Sequence, residues 1–517
     1  MQGIVGVENA TMLNHLHTEL HTEDPTWVFH NPAIASADPI AEALVTRAAA
    51  AQQQIDDWSE GKIDMLLRRV SGVVADHAHP LAVATVDETG MGNVHDKTVK
   101  NSVASAGIYA QLAGATAHGE IGFDSDRHVA ELASPVGVVV GLIPATHPVA
   151  TFIFKVLIAL KGRNAIILSP SRRARAVSQH VGEMIQRAIN EVGAPIDLVQ
   201  WLDRDTTRQT TAALMSHRGV GLILATGGQA MVRAAYASGT PAIGVGPGNA
   251  PTLIAADADL RHAARCIVES KSFDNGLICG AENHLVVESS ARAQLITHLV
   301  HEGAAILTDT ESPRFRAAVM NPRRNRLITA LVGQDAETLT TLAHIRRPYD
   351  IRLLVVPATT VAADDYLSAE KLAPVVSLFT VRNADEGMAV CHALLDVEGK
   401  GHSAIIHTSD DRLIRRFATS MPASRILVNS PATQGLMGLT TGLVPSLTLG
   451  CGSWGGTSTT NSITYRDLLN IKRVAYYKTE QDSDECRKLC PRRARATADR
   501  RHHRPDVRCD RRGASRA

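Results

Sequence analysis

The 517-residue sequence lacks the features that mark several large classes of protein. Its formal net charge is only +1, so it has no global field that would attract a nucleic acid or an anionic membrane surface. No apolar run reaches the roughly 20 residues that a membrane span requires. Met1–Gly6 also lacks the basic segment and long apolar core of a signal peptide. We therefore expect a cytoplasmic protein with neither a nucleic-acid nor a membrane partner.

The seven cysteines form neither a disulfide framework nor a zinc site, because no CxxC pair is present. Histidines are frequent near the N-terminus, but their spacing matches no closed metal site and no cysteine accompanies them. We expect no metal site and interpret residues 1–34 as an irregular, mobile arm. The histidines in question are His15, His17, His21 and His30.

Short β-rich runs alternate with helical patterns between residues 134 and 245. Continuous apolar strands with helical crossovers indicate a parallel sheet covered on both faces, as in a Rossmann-like nucleotide-binding domain. Ligands of such sheets bind beyond the carboxyl ends of the strands. The predicted strands are Val136–Ile143, Asn164–Leu168, Leu198–Leu202, Gly221–Ala225 and Pro241–Val245.

A second α/β pattern follows between residues 250 and 430, and two such lobes favour chemistry in the cleft between them. Its predicted strands are Thr252–Ala255, Leu285–Val287, Ile351–Val356, Val375–Val381, Ala404–Ile406 and Arg425–Asn429. We therefore predict an α/β protein with a cofactor domain at 35–245 and a catalytic domain at 246–430. A return segment spans 431–479. Residues 480–517 form a basic tail that is too poor in apolar residues to fold.

Cys279 lies on a glycine-flanked turn within Lys271–Asn283, just before the predicted strand at Leu285. Glycines on both sides allow a substrate carbonyl and backbone N–H groups to approach the thiol closely. A covalent nucleophile needs such a position. An inert buried cysteine fits the local sequence about equally well.

The segment Phe273-Asp274-Asn275-Gly276, followed by Ile278-Cys279, resembles the nucleophile segment of the CoA-acylating aldehyde dehydrogenases. Similar segments occur in the acetaldehyde and propionaldehyde enzymes and in the aldehyde dehydrogenase half of bifunctional alcohol/aldehyde dehydrogenases. The resemblance extends from about Ala35 to about Tyr477. It implies the aldehyde dehydrogenase fold, with NAD as cofactor and coenzyme A as co-substrate.

In this family Cys279 would attack a short-chain aldehyde, and the resulting thiohemiacetal would pass hydride to the nicotinamide. Coenzyme A would then take the acyl group from the cysteine. We expect the site to favour the thiolate, since an ordinary thiol has a pKa of about 8.5. The resemblance also implies a homodimer or homotetramer, with oligomerisation segments at 114–133 and within 431–479. Relatives use short N-terminal extensions for targeting to a bacterial microcompartment shell, and the arm is a candidate for that role.

Two histidines are candidates for supporting roles. His147 occupies the place where the wider superfamily has an asparagine before proline, so the resemblance implies a donor to the oxyanion, although a helix-capping role is the alternative. His402, in Lys400–Ala404, matches a Gly-His segment of acylating relatives. It is our candidate proton acceptor, with a hydrogen-bonded strand-start histidine as the equal alternative.

The resemblance also assigns the cofactor site. Serine replaces the usual ribose-binding lysine after the second strand, which leaves room for coenzyme A, and Arg172 and Arg173 keep NADP open as the alternative to NAD. Glu370 matches the glutamate that holds the nicotinamide ribose. The candidate cofactor-binding residues are Pro144, Ser169, Pro170, Ser171, Thr226, Gly227, Gly228 and Glu370.

Hydrolytic members of the superfamily carry a glutamate that activates water, but the matching stretch Val245–Pro251 contains no carboxylate. Water is then a poor competitor of coenzyme A, and this favours acylation. Three alternatives stay open: a CoA-independent dehydrogenase, an acylating enzyme for a semialdehyde or sulfonated aldehyde, and a non-catalytic, shell-associated paralogue.

Overall fold

The computed structural model describes residues 38–203, 205–321 and 326–478. The predicted N-terminal arm with its four histidines and the predicted basic tail lie outside these residues. Within them, no helix has the combination of length and apolar character that a membrane crossing demands.

Helices and strands alternate along most of the described chain. The helices are α1 Pro39–Gln53, α2 Glu60–Asp76, α3 Ala78–Thr89, α4 Val94–Ser102, α5 Ile108–Leu112, α6 Pro148–Lys161, α7 Arg175–Glu191, α8 Arg208–Met215, α9 Gln229–Ala237, α10 Leu260–Ser272, α11 Ser289–His301, α12 Glu311–Val319, α13 Ala336–Leu342, α14 Ala384–Val397, α15 Asp411–Ser420 and α16 Ala432–Leu436. The strands are β1 Gly119–Asp124, β2 Val129–Pro135, β3 Val138–Ile143, β4 Ala165–Pro170, β5 Val199–Trp201, β6 Val220–Thr226, β7 Ala242–Val245, β8 Pro251–Ile254, β9 His284–Glu288, β10 Ala304–Ile306, β11 Met320–Asn321, β12 Arg326–Leu327, β13 Leu353–Pro357, β14 Val375–Val381, β15 Gly401–His407, β16 Ala423–Val428 and β17 Leu469–Ala475.

The first large sheet has the strand order β5-β4-β3-β6-β7, and all its neighbours are parallel. Every residue of β3 and β4 is buried, because helices cover both faces of a parallel sheet. Helix α6 is buried along its whole length, which places it at the centre of this core. The predicted parallel Rossmann-like sheet is thus confirmed.

The second large sheet has the order β10-β13-β14-β9-β8-β15-β16 and is also parallel throughout. Two of its strands position the main candidate site residues. Cys279 precedes β9, and His402 is the second residue of β15. The sequence analysis predicted six of the seven strands and omitted β10, a run of only three residues.

A small three-stranded sheet of the order β1-β2-β17, in which β1 and β2 are antiparallel, belongs to a separate compact unit whose described residues are 118–134 and 470–478. Phe123 and Tyr476 pack edge to face within it, with ring centroids 6.2 Å apart. Both side chains are more than half exposed. The sequence analysis assigned 114–133 to oligomerisation but predicted no strand there, because β1 is exposed at four of its six positions and buried at none, so it shows no apolar alternation.

The chain reaches Cys279 through a tight left-handed turn. Helix α10 ends at Ser272, and the next residues Asp274, Asn275 and Gly276 have φ values of 46°, 55° and 72°. Such values cost about 1–2 kcal/mol per residue for side chains other than glycine, so surrounding contacts must hold the turn. Asp274 supplies them: its carboxylate accepts a hydrogen bond from the Asn93 N–H at 3.0 Å and is entirely buried.

Replacing Gly276 by alanine should destabilise the protein strongly. A Cβ at this position would lie 2.4 Å from the backbone oxygen of Ala373, and the residue keeps a positive φ. Gly193→Ala is the matched control, because Gly193 has a similar φ of 69° but open space around it. In chemical denaturation we expect Gly193→Ala to lose about 1 kcal/mol and Gly276→Ala to lose at least about 2 kcal/mol more. Equal losses would show that the turn can move away from Ala373.

Candidate active site

Cys279 and His402 form the centre of the site. The Cys279 Sγ lies 3.2 Å from the His402 Nε2, across 123 residues of sequence. The other ring nitrogen, Nδ1, lies 3.0 Å from the Ser403 Oγ. This arrangement fits a neutral imidazole that donates from Nδ1 to the serine and accepts the thiol proton at Nε2. Cysteine and histidine are therefore in contact as nucleophile and base must be.

Both members of this pair are neutral in the absence of ligands. Burial raises the pKa of the Cys279 thiol to about 12, and the neighbouring Glu370 and Cys451 act in the same direction. Burial, with a smaller contribution from Arg425, lowers the pKa of His402 to about 3. The expectation that the site favours the thiolate is thus wrong for the ligand-free protein, because desolvation outweighs the favourable charge of Arg425.

Arg425, the third residue of β16, fixes the backbone on which His402 lies. Its Nε donates to the His402 carbonyl at 3.0 Å, and its Nη2 donates to the Gly401 carbonyl at 3.2 Å. Further donation to the carbonyls of Gly450 and Thr460 ties the glycine-rich return segment to the same place. The sequence analysis gave Arg425 no role.

Glu370 is linked to Cys279 through the backbone of Gly248. The Gly248 N–H donates to the Glu370 Oε1 at 3.2 Å. A Cβ on Gly248 would lie 1.5 Å from the Cys279 carbonyl oxygen, so only glycine allows these two backbones to touch. Burial, followed by the neighbouring Glu398, raises the pKa of Glu370 to about 8. At neutral pH the group is therefore mainly a protonated carboxyl.

His147 lies at the N-cap of α6 and makes no side-chain capping bond. Its Nδ1 is buried and finds no hydrogen-bond partner within the described residues. Burial, then Lys100 and Lys97, lowers the pKa of this imidazole well below its usual value. His147 is therefore neutral with a ring nitrogen available, and among the described residues it makes no hydrogen bond to Cys279.

Two lysines of α4 connect the segment around Thr146 and His147 to the left-handed turn at residues 274–276 that precedes Cys279. Lys97 and Lys100 both pair with the buried Asp274 carboxylate, and the Lys97 Nζ is 3.1 Å from it. Lys97 also donates to the Thr146 carbonyl at 3.0 Å. Burial, then the charge of Lys100, lowers the pKa of Lys97 to about 7. Two lysines three residues apart on a helix normally indicate a solvated face, so sequence alone gave no signal for this cluster.

The remaining candidate residues lie at the edge of the first sheet that is formed by the carboxyl ends of its strands. Strand β3 pairs with β4 on one side and with β6 on the other, so the segments that follow these strands are neighbours. Gly228 caps α9 through its backbone and has open space where a Cβ would point. Backbone N–H groups at such a helix start can bind the phosphates of a dinucleotide. This edge carries Pro144, Ser169, Pro170, Ser171, Thr226, Gly227 and Gly228.

A model of the aldehyde dehydrogenase family matches residues 26–451. The chain belongs to the aldehyde dehydrogenase family. The bifunctional aldehyde-alcohol dehydrogenase AdhE of Escherichia coli (strain K12) is 36% identical to it over 438 residues, which cover 84% of this chain and 49% of that enzyme. The chain thus spans about half the length of this curated relative.

Solved structures of acylating family members are also similar. The acetylating aldehyde dehydrogenase from Geobacillus thermoglucosidasius has a TM-score of 0.82 and 37% identity, covering 85% of this chain and 97% of that one. The Rhodopseudomonas palustris propionaldehyde dehydrogenase, solved with bound CoA and an acylated cysteine, has a TM-score of 0.76 and 26% identity, covering 84% and 97%. The resemblance to acylating aldehyde dehydrogenases and the predicted fold are therefore confirmed.

The raised thiol pKa predicts how Cys279 reacts with iodoacetamide in the ligand-free aldehyde dehydrogenase. Only the thiolate reacts, and with a pKa of about 12 its fraction rises about tenfold per pH unit below that value. We expect the alkylation rate to rise in this way between pH 7 and 10. Mass spectrometry of the tryptic fragment 272–292 measures the alkylation of Cys279 alone, because this fragment contains no other cysteine. An alkylation rate that levels off near pH 8 would contradict a neutral Cys279–His402 pair.

Glu370→Gln should gain stability over the wild type as the pH rises. The folded protein keeps a proton on Glu370 up to about pH 8, whereas the unfolded chain releases it near pH 4.5. The native state thus binds more protons in this window, and its stability falls with rising pH. Glutamine removes that loss, so the free energy of unfolding of the variant relative to wild type should rise by about 1–3 kcal/mol from pH 5 to pH 8. The exposed Glu337→Gln should show no such trend, and a flat difference for Glu370→Gln would contradict the raised pKa.

Proposed function

We propose that this protein oxidises a short-chain aldehyde to an acyl-CoA, with NAD and coenzyme A, through a thioacyl group on Cys279. The observation that carries the proposal is the 3.2 Å contact between the Cys279 thiol and a neutral His402, and the protonated Glu370, which cannot activate water, agrees with it. The similarity to acetylating and CoA-bound relatives supports the same chemistry.

In the first half-reaction the Cys279 Sγ attacks the aldehyde carbon while its proton passes to the His402 Nε2. The Sγ–C bond forms and the carbonyl electron pair becomes an oxyanion. The Cys279 backbone N–H and the unpaired ring nitrogen of His147 are the proposed donors to that oxygen. Ser403 holds the His402 ring through Nδ1 and so keeps Nε2 directed at the sulfur.

The cofactor-side residues fit a nicotinamide dinucleotide. The open backbone at Gly228 suits a phosphate, and Glu370 is positioned through Gly248 beside the nucleophile turn. When bound, this cofactor supplies the acceptor for the hydride that leaves the thiohemiacetal carbon. NAD is the proposed form, with NADP as the alternative because the exposed Arg172 and Arg173 follow β4 and could pair with a 2′-phosphate.

In the second half-reaction coenzyme A, rather than water, takes the acyl group. Glu370 carries a proton at neutral pH and so cannot accept one from water. The stretch Val245–Pro251 offers no other carboxylate. The thioester therefore persists until His402, which has released the Cys279 proton to solvent, accepts the proton of the coenzyme A thiol. The coenzyme A sulfur then attacks the acyl carbon and displaces the Cys279 thiolate, which recovers a proton from His402.

We further propose that the protein is a homo-oligomer, a dimer or tetramer. The small sheet exposes large apolar side chains, which indicate a protein contact. They are Phe123, Val474, Tyr476 and Tyr477. The cytoplasmic location and a microcompartment shell as partner stay predictions from sequence.

The test of the proposed function is NADH formation from NAD and a short aldehyde, with and without coenzyme A. We expect NADH to accumulate continuously only when coenzyme A is present, since the thioacyl group otherwise blocks the thiol. Cys279→Ala should abolish the reaction. His402→Ala should lower kcat at least about a hundredfold, the usual contribution of a general base.

Sustained NADH formation without coenzyme A would show that water deacylates the enzyme, and the CoA-independent alternative would then hold. As a control, Cys391→Ala should retain activity, because Cys391 is a buried residue of α14 and belongs to an apolar cluster that includes none of the candidate site residues.

A further inference from the structure

We propose that Arg425 is a positioning residue that holds the backbone of His402 against Cys279 and places a buried cation, without a carboxylate partner, beside the pair, where it favours negative charge on the Cys279 sulfur. This inference deepens the proposed function and rests on it for its catalytic meaning. It derives from the contacts of the guanidinium and from the charges around it.

The Arg425 guanidinium is held by backbone carbonyls alone. It donates to four of them, those of His402, Gly401, Gly450 and Thr460, at 2.5–3.2 Å. The residue is 4% exposed. A guanidinium has five N–H donors in a fixed plane, so four carbonyls immobilise it and leave it no freedom to swing toward a substrate.

No carboxylate within residues 38–203, 205–321 and 326–478 forms an ion pair with Arg425. This is unusual, because buried charges in proteins are normally paired. The groups whose negative charge would favour the Arg425 cation are the thiols of Cys451 and Cys279, in that order, and both are protonated in the ligand-free protein. The buried cation therefore has no anionic partner until a thiolate forms.

The other titratable groups around the sulfur do not provide that charge. Glu370 disfavours a thiolate at Cys279, and so does an ionised Cys451. His402 is in contact with the sulfur but is neutral, and the charge of Arg425 helps to keep it so. Among the groups that affect the pKa of Cys279, Arg425 is the cation that opposes the effect of burial.

Two steps of the proposed reaction place negative charge on the Cys279 sulfur. The thiol loses its proton to His402 as it attacks the aldehyde, and the same sulfur leaves as a thiolate when coenzyme A takes the acyl group. A cation fixed on the backbone of His402, whose ring contacts the sulfur, stabilises that charge without rearrangement. Its effect is large in a buried site, since solvent screens it poorly.

The experiment separates charge from structure with Arg425→Gln, which removes the charge, and Arg425→Lys, which keeps a cation but not the four-carbonyl geometry. The readout is the iodoacetamide alkylation rate of Cys279 between pH 7 and 10, followed on the tryptic fragment 272–292. Arg347→Gln is the matched control, because Arg347 is a partly buried arginine that pairs with Glu311 in the same sheet domain. Alkylation requires neither aldehyde nor coenzyme A, so its outcome is independent of whether the proposed function holds.

We expect Arg425→Gln to slow alkylation at least tenfold at each pH, while Arg425→Lys stays within about threefold of wild type and Arg347→Gln is unchanged. Equal slowing by lysine and glutamine would overturn the proposal and assign Arg425 a purely structural role. An unchanged rate in Arg425→Gln would overturn it as well. Should the glutamine variant fail to fold, Arg425→Lys decides alone: a tenfold loss refutes the role of charge, and a rate within threefold supports it.

Discussion

The structure depends on one contact, the 3.2 Å approach of the Cys279 sulfur to the His402 ring. Cys279 lies on a turn before β9, and His402 lies at the start of β15, with β8 between these two strands in the sheet. The parallel sheet therefore brings the two side chains to the same region from opposite sides of one strand. Neither side chain could hold this geometry if the turn or the strand start were free to move.

Buried charges hold both sides of that contact. On the nucleophile side, Asp274 fixes a left-handed turn and pairs with two lysines. On the histidine side, Arg425 binds the backbone of β15 and of the return segment. A buried charge that loses its partner costs several kcal/mol, so each cluster opposes displacement of the segment that it anchors.

The chemistry is prepared by keeping the reacting groups neutral. Burial leaves Cys279 protonated, His402 unprotonated and Glu370 largely protonated at neutral pH. Charge then appears at the sulfur only when the reaction requires it, close to groups that are already fixed. The same burial that keeps the thiol protonated in the ligand-free protein also keeps Glu370 protonated, which agrees with the proposed use of a thiol rather than water as the acyl acceptor.

The parallel sheets could be predicted from sequence because buried strands such as β3 and β4 are continuous apolar runs, and a run of that kind depends on local residues only. The residues that follow these strands could be placed at one sheet edge for the same reason. The Cys279–His402 pair could be named only through the family resemblance, since 123 residues separate the two. The pKa of Cys279 and the partners of Arg425 could not be predicted, because desolvation and backbone contacts arise from tertiary packing.

The central claim is that Cys279 carries the acyl group and that coenzyme A, not water, removes it. The most direct measurement is mass spectrometry of the tryptic fragment 272–292 after the enzyme has been mixed with NAD and propionaldehyde without coenzyme A. The account predicts a stable propionyl mass increment on Cys279 that disappears, with stoichiometric propionyl-CoA, when coenzyme A is added. An unmodified fragment after NADH has formed, or loss of the increment as free propionate before coenzyme A is added, would contradict it.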